Sequence, residues 1–336
     1  MISKKKIFIV AEVGNNHEGN FALAKKLIKK AKDCGADAVK FQTFIPDLYV
    51  SIKDKKRYNQ LKKFQLSYKN FKALSKYAKK INIKFFSTPF DLKSAVFLNK
   101  IQNFFKISSG DNNFLPLIKK IANFNKPIFL STGLSDLVTI EKTKKRIFQI
   151  WKKNKNKNKK LFILHCVSSY PTTKEEANLL AIKTLQRKFK DCTIGYSDHT
   201  LDISAALASV SLGAKVIERH FTIDNKFSNF RDHRISSDPS EFKKLVNSIR
   251  KLEKTLGTGE KILQKSEKKI INFVRRSAVA TQDLPKGHKV KKDDLKWVRA
   301  TNGLKINFEK KIIGNILIKQ IKKNDTFKKS FFKNIN

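Results

Sequence analysis

IGYSDHT, Ile194 to Thr200, begins within an apolar run and ends in an acid beside a histidine, at the point where a buried strand should surface. A second run, AKVIERHF (Ala214 to Phe221), again delivers a histidine as it ends. Histidines at matching places on successive strands either grip one ion or each satisfy a local hydrogen bond. Outward from this pair the same rhythm repeats, a short apolar run followed by helical spacing. The runs are IFIVAE (7–12), DAVKFQT (37–43), KFFST (84–88), FFKISS (104–109), PIFLST (127–132), LFILHCV (161–167), TIGYS (193–197) and AKVIERHF (214–221). Between the first two, Ala24, Leu27, Ile28 and Ala31 fall at helical spacing, with Asn20 placed as N-cap and Gly35 just past the end. Eight such units in about 255 residues have the size and rhythm of a closed (β/α)8 TIM barrel. An open doubly wound sheet satisfies the same periodicity.

Residues 1–257 are therefore read as an α/β barrel domain. GTGEKI and the lysine-rich segment after it (258–274) read as a linker. From Arg275 to the end at 336, short β-like runs broken by PKG, NG and KKND turns predict a small, mostly β accessory domain.

A chain of 336 residues buries a sizeable core without staples. Cys34, Cys166 and Cys192 are odd in number and widely spaced, which excludes a disulfide framework or a zinc ribbon; they read as buried small hydrophobes outside any base-paired setting. Glu12 interrupts the apolar run near the N-terminus, so a cleaved signal peptide is not expected, and no later run is long enough to span a bilayer. The expectation is a protein of the reducing cytoplasm. The formal charge of +45 suits a polyanion partner, yet the basic residues are evenly spread and no nucleic-acid-binding motif accompanies them. Compositional drift, with lysines on solvated faces, accounts for the charge, and KKNKNKNKK (Lys152 to Lys160) fits as a low-complexity loop. No specific nucleic acid and no membrane is expected as partner.

In a closed barrel the C-terminal strand ends converge on one site. Those ends supply Glu12, Lys40 with Gln42, Ser87, Lys106 with Ser109, Ser131, Tyr170, Ser197 with His199, and His220. Lys40 and Lys106 lie inside apolar runs, where an ammonium needs a counter-charge. An internal salt bridge to Glu12 or Asp198 is one solution; a bound anion is the other, and the serine hydroxyls favour it as a phosphate seat. Without GxxxxGK[ST] or GxGxxG, a small phosphorylated metabolite suits better than a nucleotide. The two histidines, in this company, suit a divalent ion such as Mn2+ or Zn2+ with open positions. His17 either orients substrate or braces its loop, His165 reads as a core residue, and His288 as solvent-exposed in a PKGHK turn.

AEVGNNHEGN, GADAVKFQTF, FFSTPFD, KISSGDNNFLPLI, LSTGLS, LHCVSSYPT, GYSDHT, IERHFT and RDHRISSDP resemble, in order, the sialic acid (N-acetylneuraminate) synthases and their relatives that make other nine-carbon acidic sugars. The tail from RRS (Arg275) onward resembles their C-terminal antifreeze-like (SAF) domain. The resemblance implies condensation of phosphoenolpyruvate with N-acetylmannosamine, giving a nonulosonic acid and phosphate. By it, Lys40, Ser87, Lys106, Ser109, Ser131 and Ser197 hold phosphoenolpyruvate, and His199 and His220 hold a divalent metal, Mn2+ foremost, with Mg2+ or Co2+ as other ions that would serve. Glu12, Gln42, Tyr170, Asp232 and Arg299 bind the sugar, and Glu12, Lys40, Lys106 and Asp111 are the catalytic set. It also implies a domain-swapped homodimer in which Arg299 reaches the partner's sugar site. Asp111 stands where glutamate is common, Ser168 where some relatives have asparagine, and Ala300 where proline often follows the arginine.

Competing expectations are a legionaminic or pseudaminic acid synthase taking a 2,4-diacetamido-trideoxyhexose, a non-catalytic polyanion-binding barrel, and a metal-dependent pyruvate aldolase with no need of a phosphate seat.

Overall fold

The structure, a computed structural model, describes residues 6–156 and 160–333; residues 157–159 of the KKNKNKNKK tract lie outside the described residues. The chain divides into two compact units, Met1–Gly257 and Thr258–Asn336.

The first unit holds β1 (Phe8–Gly14), β2 (Ala38–Thr43), β3 (Lys84–Pro89), β4 (Phe105–Ile107), β5 (Ile128–Ser131), β6 (Leu161–Cys166), β7 (Thr193–Asp198) and β8 (Val216–His220). All ladders are parallel, in the order β3-β2-β1-β8-β7-β6-β5-β4. The two end strands, β3 and β4, lie side by side without a ladder. Gln102 bridges this seam: its Oε1 accepts from Ser87 N at 2.8 Å and its Nε2 donates to Ser87 O at 3.1 Å. A side-chain amide thus satisfies two backbone groups that a neighbouring strand would otherwise satisfy. The result is a nearly closed TIM-like barrel, as the periodicity predicted, with FFKISS shortened to three strand residues because Ser109–Asp111 tightens into a 3-10 turn.

Alternation along each strand separates two cores. Ile9, Ala11, Val39, Phe41, Ile107, Leu130, Ile163 and Ile217 pack outward against the helices. Phe8, Val10, Ala38, Phe86, Phe129, Phe162, Leu164 and Val216 fill the barrel interior. Phe129 stacks on Phe162 at 4.5 Å and on Phe86 at 5.4 Å, so the interior is plugged by aromatic rings. Each buried ring contributes on the order of 2 kcal/mol. Gly195 belongs to this layer because a Cβ there would lie 2.6 Å from Leu164 Cδ2 and 2.7 Å from Val216 Cβ.

The helices start where the sequence offers short polar caps. Asn20, Asp54, Ser67, Asp91, Asp136 and Asp238 each accept a backbone N–H of the first turn. Gly35, at φ +89°, follows the helix Phe21–Asp33 in the left-handed conformation glycine tolerates.

In the second unit, β9 (Arg276–Ala280) pairs antiparallel with β10 (Leu295–Arg299), and isolated bridges tie in Lys305, Ile316, Ile321 and Thr326. Ala278, Leu284, Val290, Leu304, Ile312 and Phe327 form its core. The segment expected as a plain linker contains a helix, Lys265–Val274, opened by a capping box in which Gln264 N donates to Glu267 Oε2 at 2.7 Å. Among the described residues no helix is long and apolar enough to cross a membrane.

Candidate active site

Above the phenylalanine layer the inward positions turn polar. Continuing the alternation from Val10, Ala38 and Val216 gives Glu12, Lys40 and Glu218; from β4 comes Lys106. Lys40 Nζ lies 2.7 Å from Glu12 Oε2 and 3.6 Å from Glu218 Oε1, while Lys106 Nζ lies 2.6 Å from Glu218 Oε1. All four are buried. The lysines are therefore internally paired, with Glu218 as a partner that sequence reading missed. Asp198, the other partner considered, is taken by Arg219 at 2.6 Å. Glu218 could have been found from VIERH, because it shares a strand face with His220.

Two positive and two negative charges balance, but unequally. Burial raises the Glu12 carboxyl well above its ordinary range, only partly opposed by Lys40. Burial also penalises ionised Glu218, but Lys106 and Lys40 outweigh it and hold that carboxyl low. Burial pulls Lys106 down despite Glu218; the same penalty on Lys40 is overcome by Glu12 and Glu218, which raise it. Glu12 is thus suited to keep a proton that Glu218 gives up.

These groups line a cavity of about 510 Å³ with Gln42, Ser109, Asp111, Ser131, Tyr170, Ser197, His199, His220 and Asp232. Ser197 Oγ donates to Glu218 Oε1 at 3.1 Å, and Ser109 Oγ accepts from Gly133 N at 3.1 Å. A Cβ on Gly133 would lie 2.3 Å from Ser168 Oγ and 2.8 Å from Ser109 Oγ, so a larger residue at the β5 end would turn these hydroxyls aside. Asp111 accepts from Ser108 Oγ at 2.6 Å, and burial raises its carboxyl. Burial raises Asp232 as well, against the neighbouring Arg231, whose guanidinium sits 4.7 Å from the Tyr170 ring.

The His199 and His220 rings are 5.4 Å apart, and the Tyr170 ring lies 4.3 Å from His199. His199 Nδ1 donates to Val167 O at 2.7 Å; burial opposes protonation of this ring, but Cys166 and that carbonyl outweigh it and raise its proton affinity, and in the neutral form Nε2 keeps a lone pair. His220 Nδ1 is buried without a partner, and burial, with His199 nearby, keeps this imidazole neutral. Two such rings fit a divalent ion, although among the described residues no three His, Cys, Asp or Glu side chains converge on one point. Any ion here would complete its shell with substrate or water oxygens.

The expected side chains do not all fall in this cavity. Ser87 is fully buried outside the cavity, where its hydroxyl meets Thr43 Oγ1 at 2.7 Å; the pleat turns Thr88 inward instead, 3.3 Å from Lys40 Nζ. Arg299 lies exposed on β10 in the second unit. Cys166 does sit beside a base: its Sγ is 3.8 Å from His199 Nδ1, and although burial raises the thiol, His199 and Ser109 bring it below its ordinary value. His288 is half-buried and bonded to Asp294 Oδ2 at 2.6 Å rather than free in solvent. His17 braces its loop: it is buried outside the cavity, and its Nδ1 accepts from Gly19 N at 3.0 Å. His165 is a core residue bonded to Ala177 O and stacked on Tyr196.

Comparison with known proteins gives the family of the chain as a whole. Residues 27–261 match the NeuB family and residues 275–333 match the SAF domain. The N,N'-diacetyllegionaminic acid synthase of Campylobacter jejuni is 43% identical over 96% of this chain and 98% of its own. The N-acetylneuraminate-9-phosphate synthase of Mus musculus is 36% identical over 84% of this chain and 80% of its own. The crystal structure of an N-acetylneuraminic acid synthetase from Leptospira borgpetersenii, 37% identical, superposes with a TM-score of 0.73 over 79% of this chain and 90% of that one. The charged layer at the mouth of a TIM-like barrel thus sits in a chain that belongs to the NeuB family, and the protein is a nonulosonate synthase with an SAF domain.

Proposed function

We propose that this synthase condenses phosphoenolpyruvate with the open-chain aldehyde of an N-acylated amino sugar, releasing phosphate. The observation that carries the reading is the buried Lys40 and Lys106 pair beside the hydroxyls of Ser109, Ser131 and Ser197. An incoming phosphate competes with Glu12 and Glu218 for these ammonium groups, and the serines supply further donors. The enol carbon attacks the aldehyde carbon, water adds at the adjacent carbon, and the phosphate leaves by carbon–oxygen cleavage. Glu12, whose proton affinity burial raises, gives a proton to the aldehyde oxygen as that carbon–carbon bond forms. Asp232 and Tyr170 orient the sugar, and Gln42 steadies Glu12 through a 3.4 Å contact. His199 and His220 would hold a divalent ion, Mn2+ first and Mg2+ or Co2+ as substitutes, which when bound supplies a Lewis acid for the aldehyde. The same proposal places the enzyme in the cytoplasm as a swapped homodimer, with exposed Arg299 completing the partner's sugar site.

For the acceptor, the sequence put N-acetylmannosamine first. The cavity wall favours a second reading. Tyr49 packs on Phe90 at 4.5 Å and Phe64 on Phe230 at 4.9 Å, and with Leu61 these line the same space. A 2,4-diacetamido-2,4,6-trideoxyhexose carries three methyl groups to meet that wall, where N-acetylmannosamine carries one. The relative named for legionaminic acid, at 43% identity, supports this choice.

The test is phosphate release from phosphoenolpyruvate and Mn2+ with each sugar and with none, using His220→Ala as control. Sugar-dependent release that the variant loses is expected, faster with the diacetamido sugar. Condensation of the sugar with pyruvate in place of phosphoenolpyruvate, or phosphate release that does not depend on sugar, refutes the synthase reading.

A further inference from the structure

RDHRISSDP contains the one histidine that sequence reading left without a role, His233. It is fully buried, and both ring nitrogens are engaged: Nδ1 is 2.6 Å from Thr222 Oγ1 and Nε2 is 3.2 Å from Glu18 Oε1. A carboxylate only accepts, so Nε2 carries the proton; burial keeps the ring neutral, and Nδ1 at 2.6 Å takes the Thr222 hydroxyl hydrogen in preference to Asp224 O at 3.1 Å. Glu18 also accepts from Ser228 Oγ. Two residues earlier in the same β1–helix turn, Asn16 Nδ2 donates to Ser236 Oγ at 2.8 Å and to Phe221 O at 3.0 Å, and Ser236 Oγ in turn donates to Asp232 O at 2.5 Å.

The excursion after β8, Ile223 to Ser236, is closed at its base by Thr222 N donating to Ser237 O at 3.1 Å. Its far part carries Phe230, Arg231 and Asp232 into the cavity. The turn that grips it is itself fixed. Glu18 takes φ +46°, and Gly19, at φ +79°, has no room for a Cβ, which would lie 2.2 Å from Lys63 O. A backbone conformation that most side chains avoid is thus held at the point from which Glu18 reaches His233.

We infer that the Glu18–His233–Thr222 relay, with Asn16, is a clamp that positions the β8 loop, so that the acceptor meets a preassembled Asp232 and Arg231. The inference rests on the acceptor role proposed for Asp232. Glu18 and His233 are positioning residues: neither lines the cavity. Preassembly lowers the ordering cost of binding, so loss of the clamp weakens the acceptor and leaves phosphoenolpyruvate, seated on other strands, untouched.

Two readouts test it on the full-length protein. In hydrogen exchange, Glu18→Ala and His233→Leu should speed exchange of the amides in 222–237 by about tenfold or more, while Glu18→Gln, which keeps an acceptor for His233 and Ser228, should restore protection. In steady-state kinetics the same two variants should raise KM for the sugar about tenfold and change KM for phosphoenolpyruvate by less than about twofold. Unchanged exchange in 222–237, or equal losses for both substrates, overturns the clamp. Absence of turnover in the wild type with every sugar defeats the proposed reaction instead, and the exchange experiment then decides the clamp alone. Glu18→Ala lies in a partly exposed turn, so it remains informative if His233→Leu fails to fold.

Discussion

Glu218→Gln isolates the charge balance at the barrel mouth. The wild-type layer holds Lys40 and Lys106 against Glu12 and Glu218, all buried, with Glu218 Oε1 2.6 Å from Lys106. The substitution keeps the volume and Oε1 but removes the charge, leaving two ammonium groups facing one carboxylate. Breaking a buried pair on one side costs about 3–5 kcal/mol, and in a unit of this size that corresponds to a fall on the order of 10 °C in melting temperature. Deprotonation of Lys106, which burial already favours, offsets part of it. The sign reverses when an anion arrives. In the wild type, phosphoenolpyruvate must draw Lys106 away from Glu218; in the variant it meets an uncompensated charge. Melting curves taken without metal, with and without saturating phosphoenolpyruvate or inorganic phosphate, should therefore show a larger ligand-induced rise in Glu218→Gln than in wild type. If the variant melts with the wild type, or the anion raises both equally, the phosphate seat has been assigned to the wrong charges.

Two further outcomes follow from the same geometry. Burial holds His17 at about 3, far below its ordinary value near 6.5. Between those limits the unfolded chain binds one more proton than the fold, so stability falls as pH drops below about 6.5 and stops changing below about 3. By linkage this amounts to about 2 kcal/mol lost between pH 7 and pH 5, and urea unfolding of His17→Gln at the two pH values should show that much less change. In the phosphate-release assay Ser87→Ala should keep kcat/KM within about twofold, whereas Thr88→Val, which strips a hydroxyl from Lys40, should lower it several-fold; the opposite ranking would restore Ser87 to the site.

The barrel was legible because its signals are local. Apolar runs ending in polar residues marked all eight strands, and Asn20 and Gly35 marked the ends of the first helix as the structure places them. What escaped was parity and partnership. Reading strand ends as a zone put Ser87 in the site, while counting every second residue from Phe86 puts Thr88 there. Glu218 was hidden between Ile217 and Arg219 in VIERH, where only the strand face it shares with His220 marks it as inward. No pattern within one strand reveals that Lys106 will meet Glu218, since the pair is created by closure of the sheet. The Glu18–His233 contact was illegible for the same reason: its two halves lie in the first and last loops of the barrel.

The lysine excess and the buried lysines answer to different physics. Lys30 and Lys32, Lys79 and Lys80, and Lys152 and Lys153 occupy the last turns of helices, where the C-terminal dipole favours cations and water screens them. Such residues accumulate at little cost under compositional drift. Lys40 and Lys106 cannot, because each needs a carboxylate on a specific neighbouring strand to be tolerated in the interior. A chain drifting toward lysine and losing its chemistry would be expected to lose this matched layer first, since replacing both members of a buried pair with apolar residues is often neutral or stabilising. The layer persists with its serines and both histidines around it, which sets this protein apart from a barrel kept only for its surface charge.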